Sequence, residues 1–240
     1  MSGRLKKVRN FFLYAVVAVA IAAVSAHLIW KYSGSGQWEL VKEKKGIRVY
    51  AMKTPGVAMM QFKGVARVQS SMHKAVALLL DPGICDFGDL SCYDSIAIQK
   101  VDEQRGGAGY YSFKWRYPFY FRPRQYVVEA NFTQNPVTKE IYETVKAAPD
   151  KLPPDDCCLR VTQMQNSWRL KPLNNGEIEI EYVVNTAGGG FFPYILDNVG
   201  GDDYVYYVLS KFPKWVENER YRNAKVAFVA NREEELVAQK

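Results

Sequence analysis

The chain has 240 residues, of which 48% are apolar and 24% charged, an ordinary composition for a globular protein with a sizeable core. Its formal charge of +7 is unevenly distributed, because residues 1–36 carry five basic side chains and no acidic one. The remaining residues carry 27 basic and 25 acidic side chains, so the body of the protein is nearly neutral. A nucleic-acid-binding protein would need a basic stripe, and this sequence offers none.

The N-terminal region contains one long apolar segment. Residues 11–30 are interrupted only by Ser25 and His27, and four basic residues precede them. Twenty helical residues span the hydrocarbon core of a bilayer, and the basic flank favours a cytoplasmic N-terminus. An uncleaved membrane anchor is the favoured interpretation, and a secretory signal cleaved near residues 24–26 is the alternative. Either one places the rest of the chain on the exported side, after a short flexible tether at residues 32–36.

The exported part alternates between apolar and polar residues along most of its length, which is typical of half-buried β-strands. A helix is predicted at residues 72–80, after an N-cap at 70–71. An irregular segment with a short helix follows at 84–93. The other predicted elements are a hairpin at 38–53 and strands at 61–68, 95–102, 111–117, 126–132, 140–147, 159–170 and 177–185.

An aromatic connection separates two of these strands. Residues 118–123 contain two prolines, which suit a connection better than a strand, and three aromatic residues, which are unusual in a surface loop. Tyr111, Phe113, Trp115 and Tyr117 form one face of the preceding strand. Such a loop needs an apolar surface beneath it. It is either a loop folded over its own core or a lid over a ligand cavity.

The C-terminal part changes from strands to a helix. Three glycines at 188–190 end the sheet, and a helix is predicted from about Gly201 to Lys225. Pro213 should kink or split this helix. Its apolar stripe contains Val205, Val208, Leu209, Phe212, Trp215 and Val216. Residues 231–240 form a charged, frayed tail.

Several segments carry a resemblance to a known family. They are W-E-L-V-K-E-K-K-G-I-R-V-Y at 38–50, F-K-G-V-A-R-V at 62–68, Leu80-Asp81-Pro82, residues 117–124 and G-G-G-F-F-P at 188–193. In this order, residues 38–227 resemble the START lipid-transfer domain of the Bet v 1-like group. Two positions depart from the family. Gln125 follows Arg124 where START domains often have Arg-Asp, and Phe87 stands about where they usually have Trp.

The resemblance implies an α+β helix-grip fold. A curved antiparallel sheet wraps around a long C-terminal helix and encloses a hydrophobic cavity, whose mouth is closed by residues 118–123 and that helix. The expected ligand-binding residues are Met60, Phe62, Tyr111, Phe113, Trp115, Tyr117, Phe119, Phe121, Arg124, Tyr126, Val128, Ile180, Tyr182, Val205, Leu209 and Phe212. Polar groups that orient a ligand would come from Arg124, Tyr117, Tyr182 or Gln163. The alternative is that the same residues simply fill a core.

The sequence contains no recognisable catalytic or metal-binding motif. The only histidines are His27, in the apolar segment, and His73, which is predicted to be solvated on the first helix of the exported part. Neither has a ligand at helical spacing for zinc, and no nucleophile elbow or phosphate loop is present. No catalytic residue, metal or cofactor is therefore assigned. Helix-grip relatives include cyclases and hydratases, and an enzyme of that kind would need an acid–base pair such as Tyr117 with Glu143.

Four cysteines allow three disulfide connectivities in an exported protein. A bond between Cys85 and Cys92 would stabilise the irregular segment after the helix. A bond between the adjacent Cys157 and Cys158 is strained and less favoured. Free thiols are the remaining alternative.

These observations predict a three-part chain: an anchor or signal with its tether at 1–36, a START-like domain at 37–228 and a charged tail at 229–240. The expected function is binding, and transfer between or near membranes, of a sterol, phospholipid or fatty acyl lipid. The partners are a hydrophobic molecule and the membrane at residues 11–30, with no nucleic acid. The expected location is a single-pass cytoplasmic membrane protein with a periplasmic or extracellular domain, or a secreted protein if the signal is cleaved. The alternatives are an enzyme acting on an apolar substrate and a protein-interaction domain with a filled core.

Overall fold

A computed structural model describes residues 2–87, 90–117, 120–190 and 192–230. The α-helices in these ranges are α1 (Ser2–Tyr32), α2 (Met72–Leu80) and α3 (Tyr194–Val216). The strands are β1 (Glu39–Lys44), β2 (Ile47–Met52), β3 (Gln61–Gln69), β4 (Cys92–Gln99), β5 (Gly107–Trp115), β6 (Arg124–Gln134), β7 (Ile141–Ala147), β8 (Leu159–Arg160), β9 (Gln163–Pro172), β10 (Glu177–Val184) and β11 (Thr186–Ala187). Short 3₁₀ turns occupy Pro82–Phe87, Pro149–Lys151, Asn174–Gly176 and Glu219–Tyr221.

The strands form one curved sheet in the order β1-β2-β3-β10-β9-β7-β6-β5-β4. Neighbours along this order are antiparallel, whereas the short β8 lies parallel to β6. Strands β9 and β10 therefore lie between the antiparallel group β1–β3 and the antiparallel group β4–β7. This arrangement, with a C-terminal helix on an antiparallel sheet, confirms the predicted α+β fold class.

Helix α3 packs against β2, β3 and β10 through the predicted apolar stripe. Two glycines permit a close approach at this contact. A Cβ atom added to Gly64 would lie 2.4 Å from Leu209 and 2.5 Å from Val205, and one added to Gly201 would lie 2.1 Å from the ring of Phe62. A side chain at either position would force the helix away from the sheet or displace its neighbours.

The bounds of α2 are as predicted, and its N-cap is Ser71, whose hydroxyl oxygen accepts a hydrogen bond from the Lys74 N–H at 3.2 Å. The expected bounds of α3 are wrong at both ends. The helix begins directly after Pro193 and ends at Val216. It continues for three residues beyond Pro213, which has no N–H to donate to the carbonyl one turn earlier. Strand β4 lies three residues N-terminal to its predicted position.

The contacts of two side chains in the α2 region refine the sequence analysis. His73 is half-buried rather than solvated, and its Nδ1 accepts a hydrogen bond from the Val226 N–H at 3.1 Å. Phe87 packs against the core and meets the Tyr221 ring edge-on, with the centroids 6.3 Å apart. Phe87 is therefore an apolar replacement at the position where START domains usually carry Trp.

All four cysteines are paired. Cys85 bonds Cys92, which ties the Pro82–Phe87 turn to the start of β4. Cys157 also bonds Cys158, so the expectation that the vicinal disulfide would not be preferred is wrong. The ligand atoms of Asp155 and these two cysteines lie within 4.8 Å of one another, but disulfide sulfurs do not offer the thiolates that bind metals.

Helix α1 is long and apolar enough to cross a membrane between Lys6 and Tyr32, and none of its most apolar window is buried within the protein. It is compatible with a membrane anchor or a signal. Two residues of the expected tether, Ser33 and Gly36, are hydrogen-bonded to Lys53 of the domain. The Gly36 N–H, for example, donates to the Lys53 carbonyl at 3.0 Å.

The packing at Gly201 can be tested against its neighbour Gly200, where an added Cβ would meet no atom within 4 Å. Alanine at either position removes the entropic cost of a helical glycine, about 0.5–1 kcal/mol. We expect Gly200→Ala to raise the free energy of unfolding by up to that amount. We expect Gly201→Ala to lower it by about 1–3 kcal/mol because of overpacking. Chemical denaturation of the full chain in detergent measures both, and equal effects would contradict the close contact with Phe62.

Candidate functional site

A cavity of about 380 Å³ lies between the first half of α3 and the inward faces of β3, β5, β6, β9 and β10. Its volume is within the range of about 300–1,000 Å³ that is typical of sites for small molecules. The wall is mostly aromatic and aliphatic. It consists of Met59, Met60, Phe62, Phe113, Trp115, Arg116, Tyr117, Tyr126, Met164, Asn166, Tyr182, Val184, Thr186, Phe192, Leu196, Asp197, Gly200, Gly201 and Tyr204.

The structure brings together seven of the sixteen residues predicted to bind a ligand. Those that line the cavity are Met60, Phe62, Phe113, Trp115, Tyr117, Tyr126 and Tyr182. Five others are buried in the core rather than in the wall: Val128, Ile180, Val205, Leu209 and Phe212. The position of a residue along its strand or helix decides between these two outcomes, since both groups face inward.

The remaining predicted residues lie around the cavity. Tyr111 is half-buried against the core, and its hydroxyl hydrogen-bonds the backbone of Val101. Arg124 is buried behind Tyr117, and Phe121 packs on Phe192. Phe119 is outside the described residues. Gln163, considered as a polar orienter, is exposed.

The sequence analysis missed the contributions of β9 and of the first turns of α3. Met164 and Asn166 alternate on β9, but the inward face of that strand could not be chosen from its pattern. Leu196, Asp197 and Tyr204 were missed because the predicted helix began too late or because its stripe was drawn too narrowly. The spacing of Tyr204 from Val208, one turn further on, was the available signal.

Four tyrosines line the cavity in two neighbouring pairs. The hydroxyl of Tyr117 acts on that of Tyr126, and the hydroxyl of Tyr182 acts on that of Tyr204. Burial raises the pKa of all four hydroxyls, so they remain neutral at physiological pH. Their rings are held by stacking, as between Tyr126 and Phe113, whose centroids are 4.8 Å apart. The wall is therefore apolar in area but carries fixed hydroxyl groups.

Arg124 organises one side of the cavity mouth. Its guanidinium donates hydrogen bonds to the carbonyls of Gly188 and Gly189, both at 2.9 Å, and lies 4.1 Å from the centroid of the Tyr117 ring. The Phe192 ring stands edge-on to Tyr117, with the centroids 4.8 Å apart. The glycines after the sheet, the loop before β6 and the start of α3 are thus joined at one side chain.

Gln125 makes a separate interaction. Its Oε1 accepts hydrogen bonds from Nε and Nη2 of Arg160 at 3.2 and 2.9 Å. Where START domains often have Asp after this Arg, the present chain has Gln125, which binds Arg160, while Arg124 binds backbone carbonyls.

Asp197 faces the same side of the cavity mouth as Arg124. Burial raises the pKa of its carboxyl, which a hydrogen bond from the Gly188 N–H and the charge of Arg124 partly offset.

Glu143 on β7 is buried outside the cavity wall, and its Oε2 has no hydrogen-bond partner in the described part of the chain. Burial raises the pKa of this carboxyl from its ordinary 4.5 to about 8. Glu143 does not line the cavity, whereas Tyr117 does, and no hydrogen bond joins the two among the described residues. Tyr117 and Glu143 therefore do not form the acid–base pair that the enzyme alternative suggested.

The buried Glu143 predicts a pH-dependent stability. Between pH 4.5 and 8 the unfolded carboxyl loses its proton while the folded one keeps it, so the free energy of unfolding falls as pH rises through this window. We expect Glu143→Gln to remove this loss, with an upper limit on the order of 5 kcal/mol at pH 8. The stabilisation relative to the wild type should be much smaller at pH 5.

The exposed Glu43→Gln, on β1, is the matched control, because it makes the same chemical change without altering a buried carboxyl. Thermal unfolding of the wild type and both variants at pH 5 and pH 8 gives the comparison. An unchanged pH dependence in Glu143→Gln would show that Glu143 is charged in the folded protein.

No protein-family model matches this sequence. An uncharacterized protein of Pseudomonas aeruginosa is 25% identical over 191 residues, which cover 79% of this chain and 89% of that protein. A STAR-related lipid transfer protein from Xanthomonas axonopodis superposes with a TM-score of 0.69 at 21% identity, covering 77% of this chain and all of that one.

Two human structures have a similar fold. STARD10 superposes with a TM-score of 0.66 at 14% identity, covering 78% of this chain and 76% of that one. StAR-related lipid transfer protein 5 superposes with a TM-score of 0.62 at 14% identity, covering 85% and 97% of the two chains. The resemblance seen in the sequence is thereby confirmed at the level of the fold, and this chain has the helix-grip fold of the START-related lipid-transfer proteins.

Proposed function

We propose that residues 37–228 bind one hydrophobic molecule in the 380 Å³ cavity and exchange it with a membrane. The observation that carries this proposal is the cavity itself, because a domain with a filled core would have no such space beneath α3. Solved structures with this fold include proteins named for lipid transfer, which supports a carrier.

The wall favours a compact ligand with a small neutral polar group. The volume is near the lower end of the range for small-molecule sites, which suits one acyl chain or a fused-ring lipid such as a sterol better than a two-chain phospholipid. The hydroxyls of the four lining tyrosines are neutral, and each carries one O–H donor that can turn toward a ligand. A hydroxyl or carbonyl group on the ligand would meet these donors.

The described polar groups favour binding over catalysis. The tyrosines are neutral, and the buried Glu143 is not paired with Tyr117. Among the described lining residues Asp197 is the one acid, and it is bonded to the Gly188 N–H. A general acid–base mechanism needs two groups converging on one reacting atom. This arrangement supports a carrier that leaves its ligand chemically unchanged.

Entry to the cavity would involve the aromatic contacts at its mouth. Phe192 meets Tyr117 and Phe121 edge-on, with centroids 4.8 and 4.9 Å away. Such contacts contribute only about 0.5–1.5 kcal/mol each beyond burial. Separation of Phe121 from Phe192 would therefore open the mouth at a modest cost. We also propose that α1 remains as an anchor, which places this mouth at the outer face of the cytoplasmic membrane.

The proposal predicts that filling the cavity weakens binding. Met164→Trp adds volume to the wall, so ligand affinity should fall about tenfold or more, since overpacking costs about 1–3 kcal/mol and 1.4 kcal/mol is a factor of ten. Ile96→Trp makes a similar change on β4 at a side chain that is exposed and away from the cavity, and should bind as the wild type does.

Native mass spectrometry of the full chain, released from nanodiscs made with lipids of the producing cell, measures the bound ligand. A stoichiometric adduct in the wild type and Ile96→Trp, and its loss in Met164→Trp, is the expected result. A bare mass in all three proteins, even after incubation with sterols, fatty acids and phospholipids, would overturn the proposal.

A further inference from the structure

The end of α1 is fastened to the loop between β2 and β3. The Trp30 indole N–H donates to the Ala58 carbonyl at 2.8 Å, and the Gly56 N–H donates to the Lys31 carbonyl at 2.8 Å. The ammonium group of the buried Lys53 also donates to the Lys31 carbonyl, at 3.1 Å. The last two bonds occupy the Lys31 carbonyl at the C-terminus of the helix, which would otherwise lack a partner.

The same loop is bonded to the start of α3. The Ala58 carbonyl accepts a second hydrogen bond, at 3.0 Å, from the buried side chain of Asn198, whose Oδ1 accepts from the Met60 N–H at 2.8 Å. A direct contact joins the two helices, since His27 Nδ1 lies 3.2 Å from the Tyr194 hydroxyl. The end of α1, the loop and the first turns of α3 therefore form one hydrogen-bonded unit.

This unit fixes the depth of α3 relative to a membrane that α1 spans. The apolar segment at 11–30 is about 30 Å long, the thickness of the hydrocarbon core. Trp30 and Tyr32 then lie at the interface, where such residues are enriched. His27 is three residues, about 4–5 Å, further inward. Because Tyr194 touches His27, α3 begins at the depth of the interface.

The first turns of α3 have the reverse of the polarity expected for a helix facing water. Ile195 is 59% exposed and Val199, one turn further on, is 72% exposed. The polar side chains of the same turns point inward. Asp197 lines the cavity, and Asn198 is buried. An apolar outer face over a polar inner face is the pattern expected where the outside is lipid.

We propose that Ile195 and Val199 insert into the leaflet in which α1 ends, so that the cavity opens into lipid rather than into water. Leu196, Asp197 and Gly200 on the same turns line the cavity. A bound ligand would therefore be separated from the bilayer by this one helix. Helix α1 then does more than anchor the domain, because it also holds the cavity mouth toward the membrane. This inference rests on the proposed function, because it describes how the ligand reaches the cavity.

A single cysteine carrying an environment-sensitive fluorophore reports the position of this surface. Val199→Cys is placed in the proposed contact, and Val137→Cys, 81% exposed in the turn between β6 and β7, is the matched control. All native cysteines are paired, and the intact mass verifies a single label on the full chain. Both proteins are placed in phosphatidylcholine nanodiscs containing a lipid with a nitroxide quencher.

We expect a blue-shifted, strongly quenched signal at position 199 and a water-like, unquenched signal at 137. Trp30→Phe keeps an aromatic ring but removes the donor to Ala58, so quenching at 199 should weaken as the domain loses its fixed orientation. A water-like signal at 199 in the wild-type background would overturn the proposal. An intact mass lacking α1 would do the same.

Ligand occupancy, measured by native mass spectrometry on the same samples, separates the two proposals. Bound ligand without quenching at 199 would leave the carrier function standing and reject the membrane contact. Quenching without bound ligand would support the membrane contact and reject the carrier.

Discussion

The cavity depends on the hydrogen bonds that the buried guanidinium of Arg124 makes to backbone carbonyls. A buried cation is tolerated only when its hydrogen bonds are satisfied, and here the acceptors are the carbonyls of Arg122, Gly188 and Gly189. These carbonyls belong to the two segments that border the mouth. Gly188 must lack a side chain, because a Cβ there would lie 2.3 Å from the hydroxyl oxygen of Tyr117. One side chain therefore links the segment after the sheet to the loop before β6.

The cavity exists because the sheet is longer than the part of α3 that fills it. Toward the middle of the helix, Leu209 and Phe212 occupy the space between helix and sheet and leave no room. Toward its N-terminus, Gly200 and Gly201 present no bulk, and the space is bordered by large rings anchored on the strands. Tyrosine suits this border because its ring supplies apolar surface while its hydroxyl keeps a hydrogen bond. The result is a rigid, mostly apolar wall with polar groups at fixed points.

Much of the fold could be predicted from the sequence, because alternation in β3, β5 and β10 and the cap of α2 are local signals. The cavity wall could be predicted only in part, since alternation identifies the inward face but not the depth along it. Val128 and Tyr126 share one face of β6, yet only Tyr126 reaches the cavity. The first turns of α3 were missed because their polarity is reversed, so a search for an inward apolar stripe begins too late in the chain.

That reversal connects the N-terminal charge pattern to the cavity. The four basic residues before the apolar segment would orient α1 in a membrane. The hydrogen bonds at the other end of α1 connect it to the β2–β3 loop, and the same loop is bonded to Asn198 on α3. A flexible tether would leave a soluble carrier near its membrane, free to turn its mouth in any direction. Under the proposed membrane contact, a hydrogen-bonded connection would hold the mouth in a single orientation, and an apolar ligand would avoid the cost of exposing its surface to water. The exposed Ile195 and Val199, unfavourable on a soluble domain, are then the residues that such an orientation requires.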